Sequence, residues 1–129
     1  MIWLPPRLTR VLALAVALLL AGSAANAAEL VMFSRVGCPY CAQFDREIAP
    51  IYDKTDEGKA APLRRVDIHA PIPPDLGAVT VERITPVFVL VDKGREIGRI
   101  RGYPGEDKFW GLLAGLIGDL QRTDTGKVD

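Results

Sequence analysis

Soft metal ligands are almost missing from this sequence: Cys38, Cys41 and His69 are its only cysteine and histidine side chains among 129 residues. A structural zinc site is closed by about four such ligands, so these three cannot form one by themselves. An excess of charge is missing too, since 16 Lys and Arg face 16 Asp and Glu. The basic residues are scattered among acids, and their one short cluster, Arg95, Arg99 and Arg101, falls on an expected edge strand. No nucleic-acid footprint is present in that pattern. Nor is there an apolar run of the roughly 20 residues that a membrane-spanning helix needs. The longest, Val11 to Ala21, stops at Gly22-Ser23 with polar Asn26 close behind.

What stands there instead has the form of an export signal. Arg7 and Arg10 precede the run, and Ala25-Asn26-Ala27 supplies small residues just before a cut after Ala27. Residues 1–27 are expected to be a signal peptide and residues 28–129 a single exported domain of net charge −2. An uncleaved anchor is the alternative, and it places the domain in the same compartment.

Glu29 to Ser34 is short and apolar and runs into Val36-Gly37, as a buried strand leading into a helix does. Cys41, Phe44, Ile48 and Ile51 recur at helical intervals, with Asp45, Arg46, Glu47 and Lys54 on other faces. The helix should kink or break where Pro50 has no N–H for the carbonyl of Arg46. Thr55 to Ala61 reads as a polar connection and Leu63 to Ile68 as a second strand. Pro71, Pro73 and Pro74 exclude a long helix over residues 69–80 but allow a short one from Pro74.

Val87 to Val91 is apolar on both faces, as a central strand is, and Asp92-Lys93-Gly94 turns it into an antiparallel return over Arg95 to Arg101. The arginines of that return would discourage another chain from pairing at the sheet edge. Tyr103 to Asp107 opens a last helix with a core stripe of Phe109, Leu113, Leu116 and Leu120. Gly111, Gly115 and Gly118 are expected where this helix packs closely on the sheet, and Asp119 to Asp129 as a polar tail. The order predicts an α/β sandwich, a four-stranded mixed sheet with helices on both faces.

The chemistry is concentrated in Val36-Gly37-Cys38-Pro39-Tyr40-Cys41, where a strand hands over to a helix. A C-x-x-C pair in that context is a redox signature. Residues three apart in the first helical turn share a face, so the two sulfurs can bond without backbone movement. A bridge closing so short a loop restricts the unfolded chain little, which favours chemistry over stapling. Unpaired N–H groups at the helix start favour a thiolate on Cys38, the expected nucleophile, exposed before the helix. Cys41 is expected to face inward as the resolving thiol. Tyr40 brings no charge and either covers the sulfurs or shapes a partner's approach. Arg35 either adds positive potential near Cys38 or is an ordinary solvated arginine. The same thiolates also suit copper(I), with His69 as a third ligand if its loop folds back to Cys38. A binding domain with an inert disulfide is a third reading.

On these residues the chain resembles the thioredoxin superfamily, over roughly Glu29 to Leu120. Cys38-Pro39-Tyr40-Cys41 is similar to the motif common in glutaredoxins and found in some periplasmic disulfide-handling proteins. Ile84-Thr85-Pro86 resembles the family's cis-proline loop, and Asp92-Lys93-Gly94 through Gly102 its final hairpin. The resemblance implies a thiol–disulfide oxidoreductase that uses Cys38 and Cys41 as a redox-active disulfide, with no cofactor or metal. It also implies a cis Pro86 lying against both cysteines and a substrate surface of Pro39, Tyr40, Thr85 and Pro86. There Thr85 would present its backbone to an extended partner segment.

The departures from the family pattern carry information of their own. Met32 occupies the place where thioredoxins hold a buried acid, so proton transfer at Cys41 must use water or another group. Gly37 precedes the first cysteine in place of tryptophan, and the double glycine of a glutathione cradle is reduced to Gly102 and Gly105. The chain has no room for the dimerisation domain of periplasmic disulfide isomerases, and a monomer is expected. Size and motif are similar to the small periplasmic thioredoxin-like proteins of bacterial sulfur oxidation, the SoxS type. That likeness implies a disulfide-bearing periplasmic partner, kept reduced with electrons from a membrane donor. Tyr40, where a cation would stabilise the thiolate, argues against a strong oxidant.

Overall fold

The structure, a computed structural model, describes residues 27–126. The expected signal peptide, apart from Ala27, therefore lies outside the described residues. Strand β1 (Ala28–Ser34) is buried at Leu30, Val31, Met32 and Phe33, so both its faces are covered. It pairs in parallel with β2 (Leu63–Asp67) and antiparallel with β3 (Val87–Asp92). Strand β4 (Arg95–Arg101) returns antiparallel to β3 at the edge, giving the order β2-β1-β3-β4. At the β3–β4 turn Lys93 and Gly94 both adopt positive φ, 52° and 78°, the two-residue geometry whose twist matches a hairpin.

Alternation along β1 and β3 divides the interior in two. Leu30, Met32, Phe88 and Leu90 join Ile100 of β4 on one face. Val31, Phe33, Val87, Val89 and Val91 point to the other. The first face receives all the α-helices of the described residues: α1 (Pro39–Glu47), α2 (Ala49–Tyr52), α3 (Asp56–Ala60) and α4 (Glu106–Thr125). On the second face the helical cover among the described residues is a single 3-10 turn, Pro74–Leu76, whose Leu76 is buried with Val79 against the valines. Arg64 of β2 anchors that turn, reaching Asp75 at 2.6 Å and Glu29 of β1 at 2.7 Å.

The break expected near Pro50 is present, and several other local expectations change. The helix after the cysteines breaks at Ile48, before Pro50, and the restart turns Ile51 outward and Tyr52 inward. The Tyr52 hydroxyl donates to the Ala61 carbonyl at 2.7 Å. The segment read as a connection contains α3, capped by Thr55 Oγ1, which accepts the Gly58 N–H at 3.0 Å. Gly58 has no room for a side chain, because a Cβ there would lie 1.8 Å from the Tyr52 carbonyl oxygen.

Helix α4 continues to Thr125 instead of fading after Leu120, and it buries Phe109, Leu113, Ile117 and Leu120. Leu116 is only partly buried and leans on β4 at Gly98, where a Cβ would lie 2.5 Å from its Cδ2. The close approach of helix and sheet is made there. Gly111 and Gly115 lie on the exposed side of α4 with nothing near them. The arginines of the edge strand are engaged: Arg99 and Arg101 both pair with Glu82, each at 2.8 Å, and hold its carboxyl below the usual range.

Candidate active site

Strand β1 ends at Ser34 in the middle of the fold, and a short loop carries the chain to the start of α1. Gly37, at φ 74°, supplies the left-handed step that the turn requires. Cys38 is the N-cap of α1 in extended conformation, with Pro39 opening the helix, where a missing N–H costs nothing. The Cys38 sulfur accepts the Cys41 backbone N–H at 3.2 Å, filling the role that a hydroxyl or carboxylate has in an ordinary cap. Cys38 and Cys41 are joined as a disulfide, their Cα atoms 5.2 Å apart.

Cys38 is less accessible than expected: in this disulfide form both cysteines are 6 % exposed. The pair is packed at the margin of the helix-side core, because α1 is drawn onto the sheet by Phe44. That ring lies 4.8 Å from Phe88, 5.3 Å from Phe109 and 5.8 Å from Tyr103, centroid to centroid. The Tyr103 hydroxyl donates to Glu47 Oε2 at 2.5 Å, tying the end of α1 to the loop after β4. This bond helps hold the Glu47 carboxyl below its ordinary range, while burial and the nearby carboxylate push the Tyr103 phenol up.

A shallow cleft beside the disulfide is lined by Arg35, Gly37, Cys38, Pro39, Cys41, Ala42 and Asp45. Asp45 was expected on a solvent face of the helix, yet it borders the cysteines. Its spacing four residues after Cys41 is the sequence signal for that position. Arg35 lines the same cleft and directs Nη1 toward the carbonyls of Val36 and Gly37 at 3.4 and 3.5 Å. Tyr40 is 59 % exposed and lines a groove with Arg101, Gly102, Tyr103 and Pro104.

The Thr85–Pro86 peptide bond is cis, Pro86 is buried, and Thr85 Oγ1 is shielded without a hydrogen-bond partner. Two further apolar side chains of the loops flanking these residues are open to solvent: Val36 at 89 % and Ile84 at 52 %. Sequence reasoning did not single them out, since exposure of an isolated apolar residue has no periodic signature. His69 lines a second groove, with Arg35, Ile68, Val81, Glu82 and Arg83, that shares only Arg35 with the cleft at the cysteines, and its backbone N–H bonds Asp67. Nothing among the described residues supports the copper reading, as no cluster of three His, Cys, Asp or Glu side chains is arranged for a metal.

No family model and no curated protein matches the chain. Solved structures do. The thioredoxin Mala s 13 of Malassezia sympodialis is 21 % identical, with a TM-score of 0.51 over 70 % of this chain and 75 % of that one, a likeness of fold. The reduced form of the periplasmic thioredoxin SoxS from Paracoccus pantotrophus is 50 % identical, with a TM-score of 0.69 over 72 % of this chain and 98 % of that one. Identity of that level along nearly the whole of SoxS, together with a cysteine pair bridged at the start of α1, leaves one assignment: the chain belongs to the thioredoxin superfamily and is a thiol–disulfide oxidoreductase.

Proposed function

We propose that the protein is exported to the periplasm and there reduces a disulfide of a partner protein, Cys38 attacking first and Cys41 resolving. The observation that carries this reading is the capping position of Cys38. A sulfur at the N-cap faces the unpaired N–H groups and the positive end of the α1 dipole, which stabilise a thiolate. Cys41, inside the first turn, shares that environment less fully.

In the reaction the Cys38 thiolate bonds to one sulfur of the partner's disulfide and the other partner sulfur leaves as a thiolate. Cys41 then bonds to the Cys38 sulfur, the bond between Cys38 and the partner breaks, and the second partner thiol is released. The product carries the Cys38–Cys41 disulfide described above, and two electrons from a membrane donor restore the dithiol. Val36 and Tyr40, in the segment that carries the cysteines, and Ile84, next to Thr85, are exposed apolar side chains open to the partner. Pro39, Tyr40, Thr85 and Pro86 form the proposed recognition surface, along which an extended segment can pair with the Thr85 backbone.

Export is supported by the basic and apolar start of the chain and by the periplasmic location of SoxS. A cut after Ala27 leaves β1 whole. N-terminal sequencing of the periplasmic fraction, with Ala28 as the expected first residue, tests this part. Reduction of insulin by dithiothreitol tests the chemistry. The protein should accelerate it, and Cys38→Ser should remove the acceleration. A fully active Cys38→Ser variant would mean that the disulfide is inert.

A further inference from the structure

Resolution of a mixed disulfide requires a proton to leave Cys41. Among the described residues no charged side chain is buried, and Met32 fills the β1 position six residues before Cys38. A carboxylate beneath the disulfide is therefore not what receives that proton. The cleft beside the sulfurs offers another. Asp45 is the one carboxylate lining it, and on α1 its side chain rises on the same side of the helix as Cys41, one turn away.

The carboxylate is held in place. Arg65 of β2 lies opposite Met32 in the β1–β2 register and spans from the strand to the helix. Its Nη1 is 3.5 Å from Met32 Sδ, and its Nη2 is 2.6 Å from Asp45 Oδ1. Both members of the pair remain in contact with solvent, at 46 % exposure for Asp45 and 44 % for Arg65. Asp45 can thus exchange its proton with water after each turnover. The guanidinium also offsets the charge that a bare carboxylate would set against a thiolate forming on Cys41.

We propose that Asp45 accepts the proton of Cys41 during resolution, through solvent in the cleft, and that Arg65 is the residue that positions it. This inference rests on the role of Cys41 proposed above. As the S–H proton passes to an Asp45 oxygen, the Cys41 sulfur bonds to the Cys38 sulfur and the bond from Cys38 to the partner breaks. The partner sulfur departs with the electron pair as a thiolate and takes a proton from solvent. Asp45 then gives its own proton back to solvent, so protons and electrons balance.

The test uses the reduced protein and dithiobis(nitrobenzoate), which releases one coloured thiolate when Cys38 attacks it and a second when Cys41 resolves the adduct. Asp45→Asn should slow the second release by about tenfold near neutral pH, below the ~10²–10⁴-fold span of general-base catalysis because the carboxylate is half-exposed. The first release should change by less than about twofold, since Cys38 does not use Asp45 in this scheme. The second phase should also become more steeply dependent on pH, as expected of an unassisted thiol. Asp45→Glu should restore most of the rate, and Arg65→Gln should give a smaller loss in the second phase alone.

The sign of the effect is decisive, because removing a negative charge without removing a base would ease thiolate formation and accelerate the second phase. A second phase that is unchanged or faster in Asp45→Asn, or equal slowing of both phases, overturns the inference. Mass mapping of the first adduct to Cys41 would overturn the proposed cysteine roles and this inference with them.

Discussion

The two faces of the sheet are built from different materials and do different work. On the helix side, Phe44, Phe88, Tyr103 and Phe109 form a cluster of ring contacts with centroids 4.8–5.9 Å apart, and the same core includes Cys38 and Cys41. On the other side the interior is mostly valine with Phe33 as its one ring, and its cover among the described residues is a proline-rich segment with a single 3-10 turn. Large rings on the first face set the position of α1 and so of the dithiol. The second face requires only that the segment leading to Thr85 and Pro86 be held down. The redox pair is therefore mounted on the helix-covered face, and the cis-proline loop follows the lighter cover of the other.

Breaking the first face should have the largest effect. Phe44→Ala removes a fully buried ring that touches three others, and a cost of about 3–5 kcal/mol is expected. Because Phe44 lies three residues after Cys41, disulfide reduction should fall along with the melting temperature. Leu76→Ala, on the second face, should cost about 2–3 kcal/mol. Urea unfolding followed alongside insulin reduction would check both. The comparison fails if Leu76→Ala harms activity, measured well below its melting point, as much as Phe44→Ala does.

Thr85 ends the covering segment just before the cis proline, and its hydroxyl is shielded without a partner. Replacing it with isosteric valine removes an unsatisfied group, so Thr85→Val should raise stability, by about 1 kcal/mol, in the oxidised protein. Calorimetry would detect the change, and a loss of stability would mean that the hydroxyl has a partner in solution.

The smallest effect concerns charge. Glu47, held down by the hydrogen bond from Tyr103, Asp75 by Arg64 and Glu82 by Arg101 and Arg99 all have lowered carboxyl affinities for protons in the fold. The unfolded chain then binds more protons as acid is added, so these groups contribute stability above about pH 4–5 and lose it as the pH falls through their folded values. Arg64→Met should flatten part of that acid-side decline. An unchanged pH profile of melting temperature would show that the Asp75 pair contributes nothing in solution.

Much of this arrangement is legible in the sequence, because the signals are local. The cysteine spacing, the all-apolar Val87 to Val91 run, the Lys93-Gly94 turn and the break enforced by Pro50 each depend on neighbouring residues alone. Other features depend on contacts far along the chain. Helix α3 is short and polar, and what fixes it is the Thr55 cap and the contact of Gly58 with the Tyr52 carbonyl. The glycines of α4 suggest close packing by composition, but helical period puts Gly111 and Gly115 opposite the buried stripe, and Gly98 on β4 provides the approach. The shielding of Cys38 was not legible because it follows from how α1 is seated on the sheet.

Since the two cysteines are equally shielded as a disulfide, any difference in their reactivity must come from position on the helix. Brief alkylation of the reduced protein near neutral pH, quenched early and mapped by mass spectrometry, measures that difference directly. The account predicts that Cys38 is modified first and nearly alone, its thiolate stabilised by the start of α1. Preferential modification of Cys41, or equal modification of both, would contradict it.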